Sequence, residues 1–180
     1  MGWNDATNEY AGEITWEDQE EGGIGWFAID TEGLVAAFHS GLGPIHPSAR
    51  RAGHEMRSRI WADLMRMPSR LAGIPDTQWL RGFSKAEYKL VSDFALKDAK
   101  TYGSLGLFEY LYPRACYSED ECGMPYKRRL IATDPITMSA FPAVVRAYLA
   151  SVTLDTSFRF SHEVPTDLIA DPVYQREKDL

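Results

Sequence analysis

Residues 24–45 constrain the fold more than any other part of this sequence. Two apolar runs, Trp26 to Ile29 and Leu34 to Phe38, flank an Asp-Thr-Glu-Gly sequence at residues 30–33. Aspartate accepts backbone hydrogen bonds in a turn and glycine adopts positive φ without steric cost, so the pattern predicts a β-hairpin. Pro44, in a glycine-rich exit, cannot extend a ladder of hydrogen bonds, and we expect the chain to leave the sheet there.

The apolar period changes after the hairpin from two residues to three or four. Apolar side chains recur at helical spacing from Pro47 to Met67, which predicts an α-helix with Ser48 as its N-cap. Ser84 and Glu87 match the capping box, in which a hydroxyl and a carboxylate bind free backbone N–H groups at a helix start. A second helix is therefore expected to follow Ser84, with Gly103 at its C-terminal cap.

Strand patterns return in the second half of the chain. Apolar and alternating residues predict strands over 105–117 and 126–133, which form a second hairpin. A short helix over 141–150 and a last strand over 152–160 are expected to follow. Helices and strands are grouped, so we predict an α+β fold: a mainly antiparallel sheet built from two hairpins and a final strand, with two helices packed on one face.

Length and composition predict one domain over residues 1–180, with an acidic N-terminal segment at 1–23 and an irregular C-terminal tail at 163–180. The sequence has no apolar run long enough to span a bilayer and no signal-peptide pattern at its start, which predicts a cytoplasmic location. Two cysteines are too few for a disulfide framework or a four-thiolate zinc site, and the sequence leaves open whether Cys116 and Cys122 pair.

Charge is distributed unevenly along the chain. The net charge is −7, and residues 1–49 contain nine carboxylates and no lysine or arginine. A negative surface disfavours nucleic acid, because phosphate binding needs clustered cations, and it favours a basic protein as partner. The first predicted helix carries the opposite charge, and we expect its arginine face to pair with residues 13–21. That face is formed by Arg50, Arg51, Arg57, Arg59 and Arg66.

No spacing pattern in the sequence fixes a reaction. His54 and Glu55 lack the second histidine that a zinc-binding helix needs four residues later, so we predict no metal, no cofactor and no catalytic residue. One alternative remains open, a small enzyme with a pocket beside Gly41 to Pro44. Its acid and base groups would be His39, His46 and Asp30, and a deep pocket that gathers them would favour this alternative.

Three sequences resemble a recurring opening hairpin of small bacterial proteins, including immunity proteins of polymorphic toxin systems. They are Gly25-Trp26-Phe27-Ala28-Ile29-Asp30, Gly33-Leu34-Val35-Ala36-Ala37-Phe38 and Ser40-Gly41-Leu42-Gly43-Pro44-Ile45. Residues 126–142 are similar to the second half of such proteins, where a strand precedes a proline-led short helix. The resemblance implies a non-enzymatic domain that covers the active site of a toxin.

Charge and resemblance together predict an immunity protein that neutralises a cognate bacterial toxin through an acidic surface. The expected partner is a basic toxin, for example a nuclease, because a nuclease binds its substrate in a basic cleft. Direct nucleic-acid binding and membrane association are not expected. The predicted partner-binding residues are Glu13, Trp16, Glu17, Asp18, Glu20, Glu21, Glu119, Asp120 and Glu121.

Overall fold

The computed structural model describes residues 12–14, 24–41, 43–112 and 124–169. Its strands are β1 (Gly25–Ile29), β2 (Val35–His39), β3 (Ile74–Pro75), β4 (Phe108–Leu111), β5 (Tyr126–Ile131) and β6 (Glu163–Val164). Its α-helices are α1 (Pro47–Arg66), α2 (Thr77–Leu80), α3 (Lys85–Ser104) and α4 (Ala143–Ala150), with single 3₁₀ turns at Met138–Ala140 and Thr166–Leu168. These elements confirm the predicted α+β class.

The sheet is mixed. Five of its six strands run in the order β1-β2-β4-β5-β3, and the sixth, β6, pairs with β5 beside β3. Strand β2 pairs with β4 in parallel, with Ala37 opposite Glu109, whereas the other pairs are antiparallel. The long connection through α1 and α3 returns the chain to the start of the sheet, so that β4 runs in the same direction as β2. The prediction of a mainly antiparallel sheet missed this one pair.

The hairpin turn forms as the sequence predicts. The Oδ1 atom of Asp30 accepts hydrogen bonds from the backbone N–H groups of Glu32 (3.0 Å) and Leu34 (2.8 Å), and Gly33 has a φ of 75°. The other oxygen, Oδ2, accepts from the backbone N–H of Phe158 at 2.8 Å. The buried Asp30 carboxylate therefore closes the turn and also fixes it to the C-terminal part of the chain.

Helices cover one face of the sheet, as predicted. Strand residues Phe27 and Val35 contact a buried cluster to which α1, α3 and α4 all contribute. The helix side chains in this cluster are Ile60, Leu64, Ala99, Tyr102, Val145 and Leu149. The third helix, α4, adds to the two that the prediction placed on this face.

Aromatic side chains fill the opposite face. The ring of Phe38 stacks on Trp26 and on Tyr110, with centroid distances of 4.5 Å and 5.0 Å. Residues 152–169 lie over these rings and bury them. The predicted last strand over 152–160 is wrong: only Thr153 forms a bridge, to Ile29, and the chain then turns to cover the aromatic face.

The segment predicted as an irregular tail starts with regular structure. Strand β6 pairs with β5, and the 3₁₀ turn at Thr166–Leu168 follows it. Val164 and Ile169 are buried against the aromatic face. The first part of the tail is therefore a component of the sheet and core, whereas residues 170–180 lie outside the described residues.

Helix ends show which local predictions hold. The capping box at Ser84 and Glu87 is present, which confirms the start of α3. Gly103 is not the C-terminal cap, because α3 ends at Ser104 and Gly106 takes the positive φ of 77°. Gly103 has a different use: a Cβ there would overlap the backbone of Gly73, so only glycine permits this close approach.

The N-cap of α1 is His46, and the prediction of Ser48 is wrong. Pro47 occupies the first helical position, where its missing N–H costs nothing, and this moves the helix start forward. The Nδ1 atom of His46 accepts a hydrogen bond from the backbone N–H of Ser48 at 3.2 Å. Burial lowers the pKa of His46 below its usual value, and the positive charge of Arg51 lowers it further.

We expect His46→Asn to remove part of the acid sensitivity of folding. The pKa of His46 in the folded protein lies below the unfolded value of 6.5. The stability that the neutral imidazole contributes is therefore fully present above pH 6.5 and is lost as the pH falls through the folded pKa. An asparagine oxygen can accept the same hydrogen bond and does not titrate. Urea unfolding of both proteins at pH 8 and pH 5 tests this.

The two proteins should agree within about 0.5 kcal/mol at pH 8, and the variant should lose less stability at pH 5. An equal fall in unfolding free energy for both proteins between these pH values would contradict the role assigned to His46.

Candidate functional site

Residues 12–14 fix the N-terminal part of the chain to the start of α1. The buried Ile14 donates its N–H to the carbonyl of Arg50 at 3.1 Å, and Nη1 of Arg50 donates to the carbonyl of Ile14 at 3.1 Å. The carbonyl of Gly12 packs against Gly53, where the backbone of α1 departs from helical geometry with φ 67° and ψ −168°. This backbone conformation is essentially restricted to glycine.

One predicted partner-binding residue lies at this anchor. Glu13 is exposed, beside the buried Ile14. The other predicted partner-binding residues lie outside the described residues: Trp16, Glu17, Asp18, Glu20, Glu21, Glu119, Asp120 and Glu121. Cys116 and Cys122 also lie outside them. The Arg50 contact places residues 12–14 on α1, and the pairing of residues 13–21 with its arginine face stays a prediction.

The groups of the enzyme alternative have separate structural partners. Both carboxylate oxygens of Asp30 accept backbone hydrogen bonds, so this group is part of the turn. His46 caps α1. His39 is the last residue of β2, and its Nε2 atom lies 2.9 Å from Oε1 of Glu109. The structure thus connects only His39 to a further cluster of charges.

That cluster lies between the sheet and α3. Glu109, fully buried in β4, forms a two-pronged ion pair with Arg129 of β5, in which Nε of Arg129 lies 2.8 Å from Oε2 of Glu109. Nη2 of Arg129 also lies 2.8 Å from Oδ2 of Asp98 on α3. The strand register shifts here, from Leu130 opposite Glu109 to Arg128 opposite Tyr110. Arg129 is therefore the extra residue of a β-bulge, which turns its side chain toward Glu109.

The two carboxylates of this cluster respond differently to burial. Burial raises the pKa of Glu109, but the contacts with His39 and Arg129 outweigh it, so the pKa is below its usual value. Burial also raises the pKa of Asp98, and Arg129 does not offset this effect because Glu109 adds repulsion. The Arg129 guanidinium thus pairs with two carboxylates, and the negative charge is stabilised at Glu109 but not at Asp98.

A second charged cluster lies at the outer edge of β5, where β3 and β6 meet. Strand β3 pairs with Leu130 and Ile131, and β6 pairs with Tyr126 and Lys127. Between these pairs, residues that flank β3 and β6 bind the backbone of β5. The N–H of Arg128 donates to the carbonyl of His162 at 2.7 Å, and the N–H of Asp76 donates to the carbonyl of Arg129 at 2.8 Å. Asp76 and His162 are thereby brought together beside Arg128.

The side chain of Arg128 connects this edge to the C-terminal cover. Its Nε donates to Oδ2 of Asp76 at 2.8 Å, and its Nη1 donates to the carbonyls of Phe158 (2.7 Å) and Arg159 (3.1 Å). Nδ1 of His162 lies 2.9 Å from the same Asp76 oxygen and 3.0 Å from Nη2 of Arg128. Burial raises the pKa of Asp76, but the hydrogen bonds from Arg128 and His162 outweigh it and hold the pKa below its usual value.

A shallow cleft of about 120 Å³ opens beside this cluster. Its lining residues are Gln78, Trp79, Gly82, Lys127, Arg128, His162 and Glu163. The side chain of His162 is 40% exposed, so Asp76 and Arg128 orient an imidazole that reaches the cleft. This volume is far below the roughly 300 to 1,000 Å³ of pockets that enclose a substrate.

Neither charged cluster is among the sites predicted from the sequence. The signal for Glu109 was present, because a lone carboxylate interrupts the otherwise apolar and aromatic run from Leu107 to Leu111. For Arg128, the sequence Lys-Arg-Arg at 127–129 gave no indication of which cation is buried. Consecutive strand residues point to opposite faces, so Arg128 and Arg129 meet different partners, and only the fold shows that Asp76 and Glu109 are these partners.

The described residues define an α+β protein whose mixed sheet has a buried charged cluster on its helix face and another at the edge of β5. Comparison of the chain with protein-family models, with curated proteins and with solved structures found no match. Among the described residues, none of the helices is both long and apolar enough to cross a membrane. The resemblance to immunity proteins therefore stays a prediction.

Proposed function

We propose that this chain is a non-enzymatic cytoplasmic immunity protein that neutralises a basic bacterial toxin. The observation that carries the proposal is the anchored acidic end of the chain. Residues 1–49 contain nine carboxylates and no lysine or arginine, and Ile14 ties this part of the sequence to α1 through two hydrogen bonds with Arg50. The anchor gives the acidic sequence a defined point of attachment to the folded body.

A protein that covers the active site of a basic toxin needs a complementary charged surface and no catalytic residues. A toxin that acts on nucleic acid binds phosphates with clustered cations, so an acidic surface complements its active site. Long-range attraction between the two surfaces also speeds association, and added salt weakens this effect.

The described ionisable clusters do not bring together the three groups that the enzyme alternative requires. Glu109 and Asp76 are held in buried ion pairs with Arg129 and Arg128, which stabilise the fold. The enzyme alternative, with a pocket beside Gly41 to Pro44, lacks such support because Asp30 and His46 are used to bind backbone N–H groups.

A charge reversal tests the proposal. The variant Glu17→Lys, Glu20→Lys and Glu21→Lys should weaken binding to the product of a neighbouring toxin gene by about tenfold or more, a loss of about 1.4 kcal/mol. Growth of cells that express the toxin should fall in parallel. Affinity is measured by calorimetry at low and at physiological salt.

The matched control reverses three exposed carboxylates that lie outside both the acidic segment and α1, Asp155, Glu163 and Asp167, and changes the net charge equally. The control should retain affinity and protection. Full protection by the variant with reversed charges at 17, 20 and 21 would refute the acidic surface as the binding site.

A further inference from the structure

Helix α3 has a stripe of exposed residues that its own sheet does not use. Glu87, Leu90, Phe94 and Lys97 follow one another at steps of three, four and three residues, so they lie on one face of the helix. All four are exposed, and the two apolar residues retain large accessible fractions, 63% for Leu90 and 51% for Phe94.

The stripe is separate from the face of α3 that packs on the core. Ala95, Ala99 and Tyr102 are the buried residues of that face. Each of the described side chains from Lys85 to Leu90 is exposed, so the first half of α3 extends beyond the core. Exposed apolar side chains with flanking charges are typical of an interaction surface.

The two charged side chains of this stripe, Glu87 and Lys97, can each form a further ion pair. Lys97 forms no ion pair within the described residues, whereas the nearby Lys89 pairs with Asp93 at 3.5 Å. Glu87 uses Oε2 for the capping box, where it accepts from the N–H and Oγ of Ser84, and this leaves Oε1 for another donor.

The stripe is complementary to a second copy of itself that runs in the opposite direction. If a second α3 runs antiparallel to the first, Glu87 faces Lys97 of the other copy and Leu90 faces Phe94. The same pairs recur on the other side of the two-fold axis, because the steps of three, four and three are symmetric. A parallel arrangement would instead place like charges opposite each other.

We propose that this stripe is the interface of a two-fold symmetric homodimer, in which two α3 helices pack antiparallel. Such an interface uses the same patch on both copies, which is the commonest symmetry of soluble oligomers. Two helix faces bury less than the roughly 1,600 Å² of a standard interface, so we expect a dissociation constant in the micromolar range.

Charge exchange between two variants tests the pairing directly. Lys97→Glu should weaken self-association about tenfold, because Glu87 then faces a carboxylate twice; Glu87→Lys should weaken it in the same way. An equimolar mixture of the two variants restores both opposite-charge pairs and should dimerise like the unmodified protein. Sedimentation velocity from about 1 to 500 μM measures each association, a range set by the expected affinity.

Two matched controls separate the stripe from general effects. Lys85→Glu makes the same charge change on the same helix at an exposed position that lies outside the steps of three and four residues, and it should leave association unchanged. Phe94→Ser should abolish association, whereas Phe160→Ser, which replaces an equally large exposed ring on another segment, should not. Circular dichroism checks that each variant retains its helix content, since Glu87 also caps α3.

The proposal is overturned if the unmodified protein is monomeric throughout this range. It is also overturned if Lys97→Glu associates as tightly as the unmodified protein, or if Lys85→Glu has the same effect as Lys97→Glu.

Discussion

Replacing Arg128 by methionine is expected to lower the free energy of unfolding by about 3–5 kcal/mol, the usual cost of removing one partner of a buried ion pair. Methionine fills much of the arginine volume but leaves the buried Asp76 carboxylate without its guanidinium. It also leaves the carbonyls of Phe158 and Arg159 without donors. Urea unfolding at pH 7 measures the loss.

The surface variant Arg159→Met is the control. Arg159 is 46% exposed and its Nε lies 3.3 Å from Oε2 of Glu32, so its loss should cost less than about 1 kcal/mol. Adding Asp76→Asn to Arg128→Met should recover about 1–3 kcal/mol, because no unpaired carboxylate then remains. Equal losses for Arg128→Met and Arg159→Met would contradict the structure of this cluster.

Arg129→Met is expected to cause a loss of similar size, about 3–5 kcal/mol at neutral pH, since it leaves Glu109 and Asp98 without their shared cation. The loss should shrink as the pH falls. In the unmodified protein the pKa of Glu109 is lowered, so its stabilising effect is present above the unfolded value of 4.5 and is lost below it.

Without Arg129, the desolvation of Glu109 is no longer offset by the guanidinium, so its pKa in the folded protein rises. The buried side chain then has a lower free energy when protonated than when charged. The difference in unfolding free energy between the two proteins should therefore be smaller at pH 4.5 than at pH 7. Arg66→Met, whose side chain is exposed, provides the surface control and should change stability by less than about 1 kcal/mol at both pH values. A loss independent of pH would show that Arg129 acts through packing alone.

Local features of this fold were predictable from the sequence. The turn at Asp30 and Gly33 and the capping box at Ser84 and Glu87 form as expected, because all their hydrogen-bonding groups lie within a few residues. The α+β class was also predictable, since apolar periodicity separates strands from helices in this chain.

The remaining features depend on contacts between distant residues. The parallel pairing of β2 with β4 depends on where the chain returns after α1 and α3, and no local pattern encodes that. The partners of Arg128 and Glu109 lie far away in sequence, with Arg128 and Asp76 separated by 52 positions and Glu109 and Arg129 by 20. Periodicity therefore placed both residues in strands without indicating that their charges are buried.

The shared edge of β5 has a consequence for the order in which this protein folds. Arg128 acquires its full set of partners only when residues 158–162 arrive, because His162 and the carbonyls of Phe158 and Arg159 come from that segment. Long-range closures of this kind slow folding relative to local ones. During synthesis on the ribosome, residues 152–169 emerge after strands β1 to β5, so we expect the ring of Phe38 to be covered by Phe158 only after those strands have been made. The segment that covers the aromatic face is thus expected to dock late in folding.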